Sequence, residues 1–159
     1  MGELSHTDAS GAARMVDVSG KQVSAREAVA TGVVRTTAEV VELLRGAGLP
    51  KGDAMAAARI AGIMGAKRTP DLVPLCHPIA LSSVRLDLEL VEKQVDITAT
   101  VRTADRTGVE MEALTAVAVA GLTLHDMIKA VDPAAVLDSV RVERKDGGKT
   151  GSWRRPEDR

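Results

Sequence analysis

Two groups of residues carry side chains that chemistry can use, and they lie far apart in the chain. The first is Lys67-Arg68 followed by Pro70-Asp71-Leu72-Val73-Pro74-Leu75-Cys76-His77-Pro78, with three prolines in nine positions. Each proline fixes φ, removes a donor and pushes its predecessor towards extended geometry, so a stiff connector without regular helix is expected. An imidazole on such a loop, with two cations upstream, suits an anion or a nucleotide. The same residues also suit a crossover in which His77 and Cys76 only pack. They do not suit a nucleophile and base pair, because neighbours in an extended segment point to opposite sides.

The second group is Asp126 and Lys129, three apart in an apolar stretch. On a helix they share a face, which puts an acid and a cation in contact, either as catalytic partners or as an ordinary surface salt bridge. Glu112 lies on nearly the same face but about 21 Å earlier along the helix axis. One small ligand does not span that distance. The two ends therefore serve different sites, or one site is assembled from two chains whose helices run antiparallel.

Other chemistries find little support. His6, His77, His125 and the single Cys are scattered without C-x-x-C or H-x-x-x-H spacing, which argues against structural zinc. Asp146-Gly147-Gly148-Lys149-Thr150-Gly151 is like the end of a phosphate-binding P-loop, but Glu143 stands where its first glycine belongs and no helix follows. A basic tail folding over an anion and a disordered terminus are the two readings left.

Composition narrows the class. With 21 Lys+Arg against 22 Asp+Glu, no global field draws in a polyanion, so any phosphate must meet a local cluster. No Phe or Tyr and one Trp leave no aromatic row for stacking bases, which argues against nucleic acid. A single Cys fits a reducing compartment. The polar start of the chain shows no apolar signal region, and Arg59 and His125-Asp126 interrupt the apolar runs short of the ~20 residues of a membrane span. A single cytoplasmic domain over residues 1–159 is expected, with 1–14 and 146–159 mobile.

The elements that must position these groups follow from periodicity. Met15-Val16-Asp17-Val18 reads as a short extended piece and residues 23–35 as a strand. Thr36 with Glu39 forms a capping-box signature for a short helix ending at Gly46 and Gly48. Asp53 caps a second helix, residues 54 to about 66, which is apolar or glycine almost all round. Alternation at Val84, Leu86, Leu88 and Leu90, a turn at Glu92-Lys93, and alternation at Val95, Ile97, Ala99 and Val101 predict an antiparallel hairpin. Thr107 and Glu110 form another capping-box signature, opening a helix over about 109–131, and a strand over about 136–143 follows Asp132-Pro133. This order, β-α(α)-β-β-α-β, predicts an α+β ferredoxin-like sandwich, an antiparallel sheet with helices on one face. Two helices without a wet face predict an oligomer.

Several runs at matched spacing are similar to one family. Met15-Val16-Asp17-Val18, Lys51-Gly52-Asp53, Ala66-Lys67-Arg68-Thr69, Pro74-Leu75-Cys76-His77-Pro78, Thr107-Gly108-Val109-Glu110-Met111-Glu112, Asp126-Met127-Ile128-Lys129 and Gly147-Gly148-Lys149-Thr150-Gly151 resemble the MoaC family, the cyclic pyranopterin monophosphate synthases of molybdenum cofactor biosynthesis. The resemblance implies a lyase that converts (8S)-3′,8-cyclo-7,8-dihydroguanosine 5′-triphosphate to cyclic pyranopterin monophosphate and diphosphate. It implies Asp126 as acid/base, Lys51 and Lys129 in catalysis and phosphate binding, and Leu75, Cys76, His77, Met111 and Glu112 as substrate-contacting. It also implies a homohexamer with sites between subunits. No cofactor is required, and Mg²⁺ is expected only with the triphosphate. Lys67 and Arg68 join Lys51 and His77 as candidates for phosphate oxygens, and Glu112 is a candidate acceptor for the guanine-derived N–H edge. Leu49-Pro50 before Lys51 departs from the family's more polar approach. The competing readings are a non-catalytic nucleotide-binding module, which has no need of Asp126, and a phosphohydrolase, which lacks a carboxylate cluster for a metal pair.

Overall fold

A computed structural model of the chain describes residues 4–46 and 53–157. Its elements are β1 (Ser24–Arg35), α1 (Ala38–Arg45), α2 (Ala54–Lys67), α3 (Thr69–Leu72), β2 (Leu81–Val91), β3 (Gln94–Asp105), α4 (Glu110–Ile128), β4 (Val136–Asp146) and β5 (Trp153–Arg154). The strands form one antiparallel sheet in the order β2-β3-β1-β4-β5. Each strand–helix–strand unit therefore skips a position that a strand of the other unit fills, the split arrangement of the ferredoxin-like α+β fold.

The core lies between this sheet and the helices on one face of it. Alternate residues of β1 and β3 point inward, so Ala28, Ala30, Val34, Val95, Ile97, Ala99 and Val101 are fully buried. From α4 come Ala113, Ala116, Val117, Ala120, Leu124 and Ile128, spaced three or four apart. The small residues of α2 bring it close to α4. A Cβ on Gly62 would stand 2.8 Å from the Ala116 carbonyl oxygen and 2.5 Å from Leu86 Cδ2. Much of the Ala/Gly richness of these helices thus serves contact within one chain. Ile60, Met64 and Leu122 nevertheless remain exposed. By length and composition alone α4 qualifies as a membrane span, with mean hydropathy 1.3. That departs from the sequence expectation, because the polar residues fall at its ends. Its buried stripe makes it the core helix of the sandwich.

Local chemistry shifts several expected boundaries. The cap of α1 is Thr37, whose Oγ1 accepts from the Val40 amide (3.2 Å), and not Thr36. Thr36 still belongs to the strand register, its amide donating to Lys93 O (2.8 Å) and its hydroxyl to Asp132 Oδ2 (2.7 Å). Asp53 caps α2 as expected, accepting from the Ala56 amide at 2.9 Å. The capping box at Thr107 is not used, since α4 starts after Val109 with no side-chain cap. It ends at Ile128, and turns rather than helix carry the chain to Val131. The expectation of no helix in the proline-rich connector fails over α3, a single turn with Pro70 in its first positions. A proline there removes only an N–H that has no partner within the helix. Met15-Val16-Asp17-Val18 joins no strand. In the segments expected to be mobile, Thr7 bridges Ala13, and β5 pairs with Arg144 and Lys145 of β4.

Candidate active site

The site is built around the N-terminal end of α4, onto which the loop after α3 folds. Cys76 is half-buried, and burial first, then the charge of Glu112, pushes its thiol above the ordinary range. His77 turns the other way, as neighbours in an extended loop must. Its Nε2–H donates to the Val16 carbonyl at 2.6 Å, which leaves Nδ1 as the nitrogen able to accept in the neutral ring. Residues 15–19 thereby lie across the imidazole, and together with Arg106 they line a cavity of about 460 Å³. Asp17 in that segment is held below the usual carboxylate range, chiefly by the Ser19 amide, with a smaller contribution from His77. The 61-residue separation of Val16 and His77 explains why periodicity gave no sign of this contact.

Glu112 is the unusual group. It is 3% exposed, and its Oε2 has no hydrogen-bond partner among the described residues. Burial raises its pKa to about 7, its own backbone amide opposes the rise, and Glu110 adds to it. The N-terminal end of a helix favours a carboxylate by roughly 0.3–1 kcal/mol. The rise from 4.5 to about 7 corresponds to about 3 kcal/mol the other way, so desolvation wins. The group therefore exchanges a proton near neutrality, and its bare oxygen can bond a donor brought by a ligand. Met111 beside it is 39% exposed, and Leu75 is half-buried.

Asp126 and Lys129 occupy the opposite end of α4. Lys129 Nζ lies 2.7 Å from Asp126 Oδ1, and both side chains are 55% exposed. A cation suits this end of a helix, where the backbone carbonyls leave partial negative charge. Fourteen residues of α4 separate the pair from Glu112, about 21 Å of axial rise. Within one chain the two groups do not share a small-molecule site. Lys67 and Arg68, both exposed, close α2, and Lys67 lines a separate groove of about 380 Å³ with Ile63, Ile79 and Ser83. They do not line the His77 cavity. Lys51 lies outside the described residues. No cluster of three or more His, Cys, Asp or Glu among the described residues is placed to hold a metal ion.

Sequence reasoning missed Asp17 and Arg106 beside His77, and also the basic residues Lys21, Arg26 and Lys145, which line a cavity near the start of α4 with Lys149 of the tail. Only the Gly-Gly-Lys run hinted at the last of these. An antiparallel α+β sandwich with a fixed imidazole, a buried carboxyl titrating near 7 and an Asp–Lys pair is equipped for proton transfer next to an anionic ligand. The particular family follows from comparison. The MoaC family profile matches residues 15–148, and the chain belongs to that family. It is 68% identical over 152 residues to the cyclic pyranopterin monophosphate synthase of Streptomyces coelicolor, covering 96% of this chain and 89% of that one. It is 64% identical over 156 residues to the enzyme of that name from a Nocardioides species, covering 96% of both chains. Identity is 61% over 154 residues to cyclic pyranopterin monophosphate synthase 2 of Mycobacterium tuberculosis, covering 97% of this chain and 92% of that one.

Proposed function

We propose that this chain carries out its lyase reaction by general acid/base catalysis at a site completed between subunits. The activity is that of its relatives, cyclic pyranopterin monophosphate synthesis in molybdenum cofactor biosynthesis. The substrate is the 3′,8-cyclised dihydroguanosine triphosphate. Its rings open and reclose by proton transfers, and a sugar hydroxyl attacks the α-phosphorus. As that P–O bond forms, the bond to diphosphate breaks, and the hydroxyl proton passes to a base. None of these steps is a redox step, so no resident cofactor is invoked, and Mg²⁺ enters with the triphosphate.

Asp126 moves the protons, with Lys129 at 2.7 Å keeping positive charge beside it. Lys51 supports catalysis and binds phosphate, and Lys67, Arg68 and His77 are further phosphate-binding candidates. Glu112 takes an N–H of the guanine-derived ring on its bare Oε2, beside Leu75, Cys76 and Met111. The observation that carries the reading is the separation of Glu112 from the Asp126–Lys129 pair along α4. A working site needs both groups, so a second copy must bring one of them. The exposed Ile60, Met64 and Leu122 support the same assembly, a cytoplasmic homohexamer.

The test is incubation with the cyclised nucleotide, measuring both diphosphate and cyclic pyranopterin monophosphate. Wild type should release both and Asp126→Asn neither, with the oligomer intact. Turnover that survives in Asp126→Asn would remove this residue from the mechanism. Nucleotide binding with no turnover in either form would favour the non-catalytic module.

A further inference from the structure

The last turn of α4 and its cap carry Asp126 and Lys129 at exposed positions, yet this end of the helix is not left loose. Helix ends fray, because the final carbonyls have no partner within the helix. Here the Lys129 amide donates to His125 O (2.9 Å), and the amides of Val131 and Asp132 both donate to Ile128 O, at 2.9 and 3.0 Å. Residues 129–131, 133 and 134 are exposed, and Asp132 among them is buried.

A buried carboxyl is costly unless its oxygens are bonded. Those of Asp132 are bonded, and by two different segments. Oδ1 accepts from the Ala134 amide (3.1 Å), which closes the turn on itself, and Oδ2 accepts from the hydroxyl of Thr36 (2.7 Å), 96 residues away in the sequence. Thr36 is itself held. Its amide donates to Lys93 O (2.8 Å) in the turn between β2 and β3, while Arg35 before it pairs with Asp138 of β4 (2.6 Å) and donates to Gln94 Oε1 (3.2 Å). Two neighbouring residues at the end of β1 thus tie down both sides of the connection from α4 to β4. On the helix side, what they fix is the turn that begins at Lys129.

The next hydroxyl along the chain does something different. Thr37 Oγ1 accepts from the Val40 amide and caps its own helix, α1, a bond that serves local stability. Thr36 reaches across the fold to the end of another helix.

We propose that Thr36 and Asp132 are positioning residues for the reaction: their hydrogen bond latches the end of α4 and so holds Lys129 against Asp126 in the geometry that proton transfer needs. This rests on the reading of the Asp126–Lys129 pair given above. Both residues act through Lys129. A displacement of about 1 Å at a catalytic group can cost ~10²-fold in rate, so a latch one turn away is enough to matter.

Steady-state formation of cyclic pyranopterin monophosphate from the cyclised nucleotide, read together with hydrogen exchange over residues 125–135, tests the latch. Thr36→Val keeps nearly the same shape and removes the hydroxyl. It should speed exchange of the Lys129, Val131 and Asp132 amides and lower kcat about tenfold with KM unaltered, as expected for a contact felt in the transition state. Thr36→Ser, which restores the hydroxyl, should return both readings to wild type. Thr37→Val, by contrast, should lower the melting temperature and leave kcat alone. Because Thr36 acts through Lys129, adding Thr36→Val to Lys129→Met should slow the enzyme no further. Wild-type kcat in Thr36→Val, a loss that serine does not recover, or a double variant slower by the full tenfold would each overturn the latch. Should Thr36→Val not fold, Asp132→Asn carries the same test, since the amide keeps one acceptor and loses the other. If Lys129→Met turns over like wild type, the reading of the pair fails instead, and faster exchange in Thr36→Val would then leave the hydrogen bond a structural role only.

Discussion

The two ends of α4 carry acids in opposite circumstances. Glu112, in the first turn of the helix, is buried, has an oxygen without a hydrogen-bond partner among the described residues and titrates near 7. Asp126, in the last turn, is half exposed and has a lysine within 2.7 Å. Burial leaves the first with an oxygen that a ligand donor can satisfy, whereas the second stands half exposed beside Lys129, easy to reach. The lesson is that one helix supplies two unlike acids because its ends meet different surroundings, one inside the protein and one facing solvent.

The comparison predicts a split between activity and stability. Asp126→Asn should lower turnover by 10²-fold or more, the usual worth of a positioned acid/base group. Its unfolding midpoint should stay close to that of wild type, because an exposed pair contributes only about 0–1 kcal/mol. A large drop in melting temperature would instead make Asp126 structural.

Glu112 should behave in the reverse way. Its folded pKa lies above the unfolded value of 4.5, so between about pH 4.5 and 7 the unfolded chain ionises while the folded one does not. Stability is therefore highest below 4.5 and falls by about 3 kcal/mol as pH rises through 7. Glu112→Gln should remove that slope in urea unfolding at a series of pH values and should be the more stable form at pH 8. An unchanged slope would show that Glu112 is ionised in the folded protein.

A smaller effect is expected midway along the helix. Gly62→Ala places a methyl against the Ala116 carbonyl and Leu86, and overpacking of this kind costs about 1–3 kcal/mol. Chemical denaturation measures the cost. Because the shift moves α4 as a body, both ends should be disturbed together, whereas a full-strength site in a destabilised protein would show that the ends are positioned independently. Least of all, Lys129→Met should change folding stability by less than about 1 kcal/mol while reducing turnover.

Particular residues show where the sequence was legible. Alternation along β2 and β3 announced the hairpin because each strand has one face in the core, and Asp53 announced its helix because a capping carboxylate acts within a turn. Thr36 and Thr107 misled, since cap signals cannot tell where strand pairing stops. Asp126 and Lys129 could be paired from spacing alone, as i and i+3 on a helix always meet. The burial of Glu112 could not be read this way, because it depends on residues far off in the chain; Cys76, whose thiol feels its charge, lies over thirty residues earlier.

The chain by itself determined its element order, the antiparallel sandwich and the Asp–Lys pair, all of which follow from contacts between near neighbours and from the side-chain period. Only the tertiary structure decided that Val16 meets His77, that Glu112 loses its water, and that Lys21, Arg26 and Lys149 line one cleft. Those facts depend on segments brought together from across the chain, and the energy of a charge is set by what surrounds it in space.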